Sequence, residues 1–286
     1  MHHKVTVVGA GTMGSGIAQI AAEAGFDVTI VDTEQKFIDR GIGAICKFLE
    51  RKAAKGTISK ELMGQSLSRL KGTTDMKAGV EGAVMVVEAV FEKLEIKKDV
   101  FTKLDSLCPA EVILASNTST LSITEIAGVT KNPGRVIGTH YFSPVPLMKL
   151  VEVIRGGKTT DEVAEKTVGL CTQFGKTPIV VKDIPGFIVN RFLCLLYNES
   201  ANMIHNGAAS AVAIDQAMKL GCNWPMGPNE IMDLAGVDVC YFAIDAMYQM
   251  TGQEGYKPSP LFKKMLDQNL LGRKTGRGFY GYEKKP

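Results

Sequence analysis

The sequence predicts an α/β fold, with a doubly wound, mostly parallel sheet in the first part of the chain and only helices in the second. Two observations lead to this prediction. Short β-rich runs alternate with stretches of helical periodicity up to residue 183, and beyond that point the β-rich runs stop. We therefore expect one domain over residues 1–183 and an all-α domain over residues 184–286.

The first elements read as a strand, a tight turn, a helix and a second strand. Residues 4–8 are β-rich and end at Gly9, and small and apolar residues then recur at helical spacing until Gly25. Residues 27–32 form the second predicted strand, and helix formers fill residues 34–55. This order predicts a βαβ unit with an extended second helix.

The same alternation continues along the first domain. Further apolar bursts predict strands at 84–90, 111–115, 135–139, 148–154 and 177–182. Two capping boxes, Ser122 with Glu125 and Thr159 with Glu162, predict where intervening helices begin. Strands that alternate with helices favour parallel pairing, because each helix returns the chain to the starting edge of the sheet.

The hydrophobic pattern of the sequence changes after Asp183. Pro185-Gly186 interrupts the chain, and apolar residues then repeat with a helical period across residues 186–206. A long apolar helix of this kind often buries one face against another subunit. We expect a helical domain that takes part in substrate binding and in forming a homodimer or a higher homo-oligomer.

Composition excludes several classes of protein. The 286 residues are 45% hydrophobic and 22% charged, which is typical of ordered globular domains, and a net charge of +3 is too small for a nucleic-acid-binding surface. The six cysteines never approach CxxC spacing, so we expect no metal site and a cytoplasmic protein. No apolar run approaches the roughly 20 residues needed to span a membrane, and the start runs directly into a strand without a signal-peptide pattern.

A glycine-rich turn follows the first strand. Its six residues fit the pattern GxGxxG: Gly9, Ala10, Gly11, Thr12, Met13 and Gly14. In this context Gly9 permits the tight turn, Gly11 lets a pyrophosphate approach the backbone, and Gly14 allows close packing of the helix. The alternative is a turn whose glycines have only a structural role.

Asp32 ends the second predicted strand, where dinucleotide-binding proteins carry an acidic residue about 20 residues after the turn. A carboxylate there accepts hydrogen bonds from a ribose 2′-hydroxyl and repels a 2′-phosphate. No arginine follows immediately. The combination predicts a Rossmann-type domain that binds NAD rather than NADP.

The chain has four histidines, and one is placed for catalysis. His2 and His3 lie at the start of the chain, where we expect exposure, and His205 lies late in the long helix, where a histidine favours the helix dipole. His140 ends a predicted strand, and ligands of doubly wound sheets bind beyond the carboxyl ends of strands. A dehydrogenase needs a group of near-neutral pKa to take the hydroxyl proton, so His140 is the candidate base, with a structural histidine as the alternative.

Two further features suggest polar groups near that base. Glu152 interrupts an apolar run, and a carboxylate in a buried strand is costly unless a cation such as an imidazolium pairs with it. The alternative is a strand residue that faces solvent. The polar run at 116–120 follows another strand and contains Ser119, while Asn190 begins the helical domain. The run at 116–120 is either an ordinary loop or a contact to the substrate. Asn190 is either part of the site or an exposed residue on a helix.

At these residues the sequence resembles the short-chain L-3-hydroxyacyl-CoA dehydrogenases, most closely the bacterial 3-hydroxybutyryl-CoA dehydrogenases. The resemblance spans nearly the whole chain. It rests on seven ordered blocks: VVGAGTMGSGIAQ (7–19), VVEAVFEKLEIKKDVF (86–101), ILASNTSTLSIT (113–124), GTHYFSPVPLMKLVEVI (138–154), DIPGFIVNRFL (183–193), AMKLGCNWPMGP (217–228) and GRKTGRGFYGY (272–282).

The resemblance implies roles for individual residues. His140 would be the general base and Glu152 the carboxylate that orients it. Other matching positions fall into three sets: polar groups around the reacting oxygens at Ser119 and Asn190, cofactor contacts at Glu92, Lys97, Ser119, Ser143 and Lys274, and contacts to the CoA substrate at Lys55 and Ser119.

Three positions depart from the family pattern. Family members commonly carry Asn where this chain has Ser143, so one amide hydrogen bond near the nicotinamide would fall to a hydroxyl or a water. Phe48 replaces a polar CoA contact of some relatives, and Trp224 replaces the His or Tyr more usual before the following proline.

The activity that the resemblance implies is NAD-dependent oxidation of a short-chain (S)-3-hydroxyacyl-CoA to the 3-ketoacyl-CoA, or the reverse. A dehydrogenase of a 3-hydroxy acid without CoA is one alternative. A non-catalytic NAD(H)-binding regulator is another, although the intact pair of His140 and Glu152 argues against it.

Overall fold

The computed structural model describes residues 3–282 and divides into two compact units, residues 1–187 and residues 188–286. The division falls after Phe187 rather than after Asp183. Phe187 is only 1% exposed and packs in the core of the first unit, which keeps residues 184–187 with that unit.

One sheet dominates the first unit. Within residues 3–282 it has eight strands: β1 (Lys4–Val8), β2 (Asp27–Val31), β3 (Leu70–Thr73), β4 (Ala83–Glu88), β5 (Ile113–Ser116), β6 (Val136–Tyr141), β7 (Leu150–Arg155) and β8 (Thr177–Lys182). Their order is β3-β2-β1-β4-β5-β6-β7-β8, and every neighbouring pair is parallel except β6 and β7. This confirms the predicted doubly wound, mostly parallel sheet. The short edge strand β3 was not predicted, because its four residues have a lysine and a glycine at the centre and form neither an apolar nor an alternating run.

Helices cover both faces of this sheet. The helices of the first unit are α1 (Thr12–Glu23), α2 (Gln35–Ala54), α3 (Lys60–Ser68), α4 (Met76–Val80), α5 (Leu94–Leu107), α6 (Ile123–Ala127) and α7 (Asp161–Gln173), with a 3₁₀ turn at Pro133–Arg135. In β4, Met85 and Val87 join the core under α1, α2 and α7, whereas Val86 joins the core under α5 and α6. The alternation of strand side chains thus fills two cores.

The two predicted capping boxes have different outcomes. The Ser122 hydroxyl accepts a hydrogen bond from the Glu125 N–H at 3.2 Å and caps α6, as predicted. The second prediction is wrong by one residue, because Thr160 and not Thr159 caps α7 by accepting from the Val163 N–H. The Thr159 hydroxyl instead donates to the Val136 carbonyl at 2.6 Å.

The second unit is helical, as predicted. Its helices are α8 (Val189–His205), α9 (Ala211–Cys222), α10 (Pro228–Ala235), α11 (Val237–Thr251) and α12 (Pro260–Asp267), with 3₁₀ turns at Glu254–Tyr256 and Arg273–Thr275. The first helix begins at Val189 rather than at residue 186, since Gly186 and Phe187 have φ angles of +73° and +51° and turn the chain. Tyr256 and Phe262 are fully buried in the core of this unit.

In the part of the chain that the structure describes, no helix has the length and apolar character needed to cross a membrane. His3 and His205 are both exposed, and His2 lies outside the described residues.

Candidate active site

The glycine turn joins β1 to α1 with little room for side chains on its inner side. Gly9 has a φ of +107°, and a Cβ atom there would lie 2.5 Å from the Ala89 carbonyl oxygen. A Cβ atom at Gly14 would lie 1.8 Å from the Gly9 carbonyl oxygen. At Gly11, by contrast, a Cβ would meet nothing within 4 Å. The backbone is therefore open at Gly11, where the helix N-terminus can accept an anion.

Asp32 lies directly after β2, beside this turn. Its Oδ2 accepts a hydrogen bond from the Ala10 N–H at 2.7 Å, and its Oδ1 accepts one from the Thr33 N–H at 2.7 Å. The carboxylate is therefore held by backbone donors of the turn itself and of the next residue. Its position fits the predicted acceptor for a ribose hydroxyl.

A cavity of about 870 Å³ opens at this point. Residues 9–13 and Asp32 form part of its wall, and Phe48, Phe91 and Arg40 form other parts. Its size lies in the range of small-molecule and cofactor sites. The open backbone at Gly11, the anchored carboxylate and this volume together fit a dinucleotide. Sequence reasoning missed Arg40, which lies in the second turn of α2.

His140 and Glu152 meet across β6 and β7. These strands are antiparallel, and their register places the two residues directly opposite each other. His140 Nδ1 lies 2.7 Å from Glu152 Oε2, and the two side chains are only 6% and 1% exposed. Because a carboxylate oxygen accepts, this contact places the ring proton on Nδ1. Phe142 and Phe187 pack against the imidazole, with ring centroids 4.4 Å and 5.8 Å away. A proton held on Nδ1 leaves the lone pair on Nε2, the arrangement that a general base requires.

Glu92 and Ser119 also come together, although they follow different strands. Glu92 lies in the segment after β4, and its Oε1 accepts a hydrogen bond from the Ser119 N–H at 2.7 Å. The Thr118 hydroxyl donates to the same oxygen at 2.5 Å. The carboxylate thereby fixes the polar run that follows β5. Because β4, β5 and β6 run in parallel, this run lies at the same edge of the sheet as His140.

Lys97 lies beneath these loops and not on the surface of the cavity. Its side chain is completely buried, and Nζ donates to Glu88 Oε1 at 2.7 Å and to the Asn117 carbonyl at 3.1 Å. Nζ also lies 3.3 Å from Glu92 Oε2. With no exposed surface, Nζ contacts the Glu88 and Glu92 carboxylates in this structure. The predicted direct contact stays a prediction.

Glu88 is a further residue that sequence reasoning missed. It is completely buried at the end of β4, and in addition to Lys97 it accepts hydrogen bonds from the Val90 N–H and the Ser116 hydroxyl. Burial raises the pKa of the Glu88 carboxyl group, and the Lys97 ammonium and these hydrogen bonds oppose that rise. Glu88 interrupts its apolar run just as Glu152 does, and that signal was available in the sequence.

The remaining predicted residues lie outside this cluster. Ser143 is exposed in the loop after β6, and Lys55 is exposed at the C-terminal end of α2. Asn190 and Lys274 belong to the second unit. Asn190 is half-buried near the start of α8, and Lys274 Nζ lies 2.5 Å from Asp238 Oδ1. The roles predicted for these four residues stay predictions.

Two family models match the chain. The model described as 3-hydroxyacyl-CoA dehydrogenase, NAD binding domain, matches residues 4–184, and the model described as 3-hydroxyacyl-CoA dehydrogenase, C-terminal domain, matches residues 186–282. Together they span almost the whole sequence.

Individual relatives agree with these models. The chain is 45% identical to a probable 3-hydroxybutyryl-CoA dehydrogenase of Deinococcus radiodurans, over 98% of this chain and 100% of that protein. It is 44% identical to a probable 3-hydroxybutyryl-CoA dehydrogenase of Bacillus subtilis, over 99% and 98%. A crystal structure of (S)-3-hydroxybutyryl-CoA dehydrogenase from Ralstonia eutropha superposes with a TM-score of 0.96 at 40% identity, over 99% of this chain and 100% of that chain. The chain therefore belongs to the 3-hydroxyacyl-CoA dehydrogenase family, is an NAD-dependent oxidoreductase, and carries the family's NAD-binding domain in its first unit.

Proposed function

We propose that the protein interconverts (S)-3-hydroxybutyryl-CoA and acetoacetyl-CoA, or other short-chain pairs of this type, with His140 as general base. The hydrogen-bonded pair of His140 and Glu152 carries this proposal. It lies at the carboxyl ends of the parallel strands, where ligands of doubly wound sheets bind. The relatives named for 3-hydroxybutyryl-CoA support the choice of a short acyl chain.

Each residue of the pair has a separate task in the oxidative direction. His140 Nε2 takes the proton of the C3 hydroxyl group as the C3–H bond breaks and the C–O bond becomes a carbonyl. Glu152 keeps the other ring proton on Nδ1 and stabilises the imidazolium that forms. NAD supplies the acceptor for the hydride that leaves C3. In the reverse direction the imidazolium returns its proton to the carbonyl oxygen.

The glycine turn and Asp32 would hold the cofactor. The open backbone at Gly11 and the N-terminus of α1 suit the pyrophosphate, and Asp32 suits a ribose hydroxyl group. We assign Glu92, Ser119 and Ser143 to the nicotinamide side, and Ser119 and Asn190 to the reacting oxygens. Lys274 is assigned to the cofactor and Lys55 to CoA on the resemblance alone.

An NADH-absorbance assay tests the function directly. We expect turnover with acetoacetyl-CoA, a decline as the 3-ketoacyl chain lengthens, and little turnover with free acetoacetate. NADPH in parallel should be a poor donor. Efficient use of free acetoacetate would favour a dehydrogenase without a CoA requirement. No turnover of any 3-ketoacyl-CoA, with NADH still bound, would contradict the proposal.

We also propose that the chain forms a homodimer or a higher homo-oligomer through its helical unit. Large apolar side chains are exposed there, including Phe192, Leu220 and Phe242. Light scattering on the purified protein measures the subunit number, and a monomer at micromolar concentration would contradict the proposal. The cytoplasmic location stays a prediction.

A further inference from the structure

The loop between β6 and β7 forms part of the cofactor cavity and also connects the strands of the two catalytic candidates. It runs over residues 142–149, and Pro144, Val145 and Pro146 line the cavity. His140 precedes the loop and Glu152 follows it. The position of this loop therefore sets the shape of one wall of the cavity.

On one side, the loop packs against α1. Val145 is only 2% exposed, and a Cβ atom at Gly16 would lie 2.7 Å from the Val145 Cβ. Real Cβ atoms do not approach so closely, so the absence of a side chain at Gly16 is what admits Val145. This contact brings the loop onto the helix that begins at the glycine turn.

On the other side, Lys176 donates hydrogen bonds to two backbone carbonyl groups of the loop. Lys176 lies between α7 and β8, and the residue is only 7% exposed. Its Nζ donates to the carbonyl oxygen of Val145 and, at 2.7 Å, to that of Met148. One buried ammonium thus joins two carbonyls that are three residues apart in the loop.

Among the residues that the structure describes, Lys176 has no close anionic partner. No carboxylate in residues 3–282 lies within 4 Å of its Nζ, in contrast to Lys97. Burial lowers the pKa of Lys176 and so do Lys149 and Lys52, whereas Glu23 and Cys171 raise it. A buried cation is costly unless its donors are used, and here neutral carbonyls of a single loop use them.

We infer that Lys176 is a positioning residue, which clamps the loop of residues 142–149 so that the wall formed by Pro144, Val145 and Pro146 is in place before the cofactor binds. This inference rests on the proposal that the cavity holds NAD. A loop fixed in advance spares the binding step the entropy cost of ordering it. The lysine acts through the loop and not by contact with a ligand.

Lys176→Met tests the clamp, because methionine has a similar length and no donors. We expect the Kd for NADH, measured by fluorescence titration without substrate, to rise about 10-fold as two charge-assisted hydrogen bonds are lost. The kcat at saturating NADH should change less, since the ladder of β6 and β7 holds His140 and Glu152 independently of the loop. Lys149→Met, which removes an exposed lysine of the same loop, is the matched control and should leave the Kd unchanged.

Two outcomes would overturn the inference. One is a Lys176→Met protein that melts at a lower temperature but binds NADH as tightly as the wild type, because the lysine would then only stabilise the fold. The other is an equal rise of Kd in Lys149→Met, which would indicate a general charge effect. If Lys176→Met does not fold, Gly16→Ala displaces Val145 from the opposite side, and an unchanged NADH Kd in that variant would also contradict the clamp.

Asp32→Ala separates this inference from the proposed function. If Asp32→Ala weakens NADH binding and Lys176→Met does not, the cavity assignment stands and only the clamp fails. If Asp32→Ala leaves NADH binding unchanged, the cavity does not hold the cofactor as proposed, and the inference fails with that assignment.

Discussion

Two buried pairs of hydrogen-bonded polar side chains lie at the same edge of the sheet, and only one of them is suited to catalysis. His140 and Glu152 join β6 to β7, and Lys97 and Glu88 join α5 to β4. The closest atoms of each pair are 2.7 Å apart. Burial and pairing therefore do not distinguish a catalytic pair from a structural one.

What separates them is the number of donors and acceptors already used. Lys97 directs its ammonium group at Glu88, Glu92 and the Asn117 carbonyl. His140 uses only Nδ1, and within residues 3–282 Nε2 has no hydrogen-bond partner. A neutral imidazole can accept a proton through such a nitrogen, whereas a lysine ammonium has no lone pair with which to accept one. A nitrogen that can accept a proton and has no partner in the pair is the feature that indicates chemistry.

The pairs are nevertheless connected. Asn117, whose carbonyl accepts from Lys97, also accepts a hydrogen bond at its side-chain Oδ1 from the Tyr141 N–H. Tyr141 follows His140 directly. The structural pair thus supports the strand end that carries the catalytic candidate, and the two pairs should respond differently to substitution.

The largest expected effect is on stability, at Lys97. Lys97→Met should lower the free energy of unfolding by about 3–5 kcal/mol, because it leaves the Glu88 carboxylate buried without its cation. The double variant Lys97→Met with Glu88→Gln should regain most of this loss. Urea denaturation followed by circular dichroism measures both. A loss below about 1 kcal/mol in the single variant would show that Glu88 is already protonated or reached by water.

The next effect is on turnover, at His140. His140→Asn should lower kcat at least ~100-fold, the usual scale for a missing general base, and should leave the NADH Kd nearly unchanged. Steady-state kinetics with acetoacetyl-CoA and fluorescence titration with NADH measure the two quantities. Turnover close to that of the wild type would show that His140 is not the general base. The pair of His140 and Glu152 would then have only a structural role, like the pair of Lys97 and Glu88.

A smaller loss is expected at Glu152. In Glu152→Gln the amide can donate to Nδ1 and so hold the proton on Nε2, which is the wrong tautomer for a base. Since the ring itself remains, we expect kcat to fall about 10-fold to 100-fold, with little change in NADH affinity. A fall that matched a loss of folded protein, by circular dichroism, would instead make Glu152 a structural partner.

Local signals made much of this site predictable. The glycine turn, Asp32, and His140 at the end of a predicted strand are all encoded within short segments whose physical meaning does not depend on the rest of the chain. The same holds for Glu152, since a carboxylate in an apolar run demands a partner. Glu88 also interrupts an apolar run and so requires a partner. Its partner is Lys97, which lies nine residues later on a helix, and the periodicity of the sequence does not reveal that contact.

The direction of β7 and the exact residue that caps α7 were harder to predict from the sequence. The apolar run of β7 reads the same in either direction, so the antiparallel pairing that brings Glu152 opposite His140 is visible only in the structure. Of two adjacent threonines, backbone geometry selected Thr160 as the cap of α7, and sequence type could not decide between them. Nonlocal contacts therefore account for the missed strand pairing and for the missed partner of Glu88.

The smallest expected effect concerns a third carboxylate, which differs from the other two because backbone N–H groups hold it. Asp32 accepts from Ala10 and Thr33 and lies in the wall of the cavity with Arg40. Asp32→Ala should raise the Kd for NADH about 10-fold, because an acceptor for the ribose hydroxyl is lost. The difference between the Kd values for NADH and NADPH should also become smaller, because the carboxylate no longer repels the 2′-phosphate. Because Arg40 lines the same cavity, we expect its guanidinium to bind that phosphate, so a second change, Arg40→Met, should abolish the gain for NADPH. Fluorescence titration with both cofactors measures the four Kd values of the single and double variants. If the wild-type protein binds NADPH as well as NADH, the selective role of Asp32 is contradicted, and the carboxylate only anchors the glycine turn.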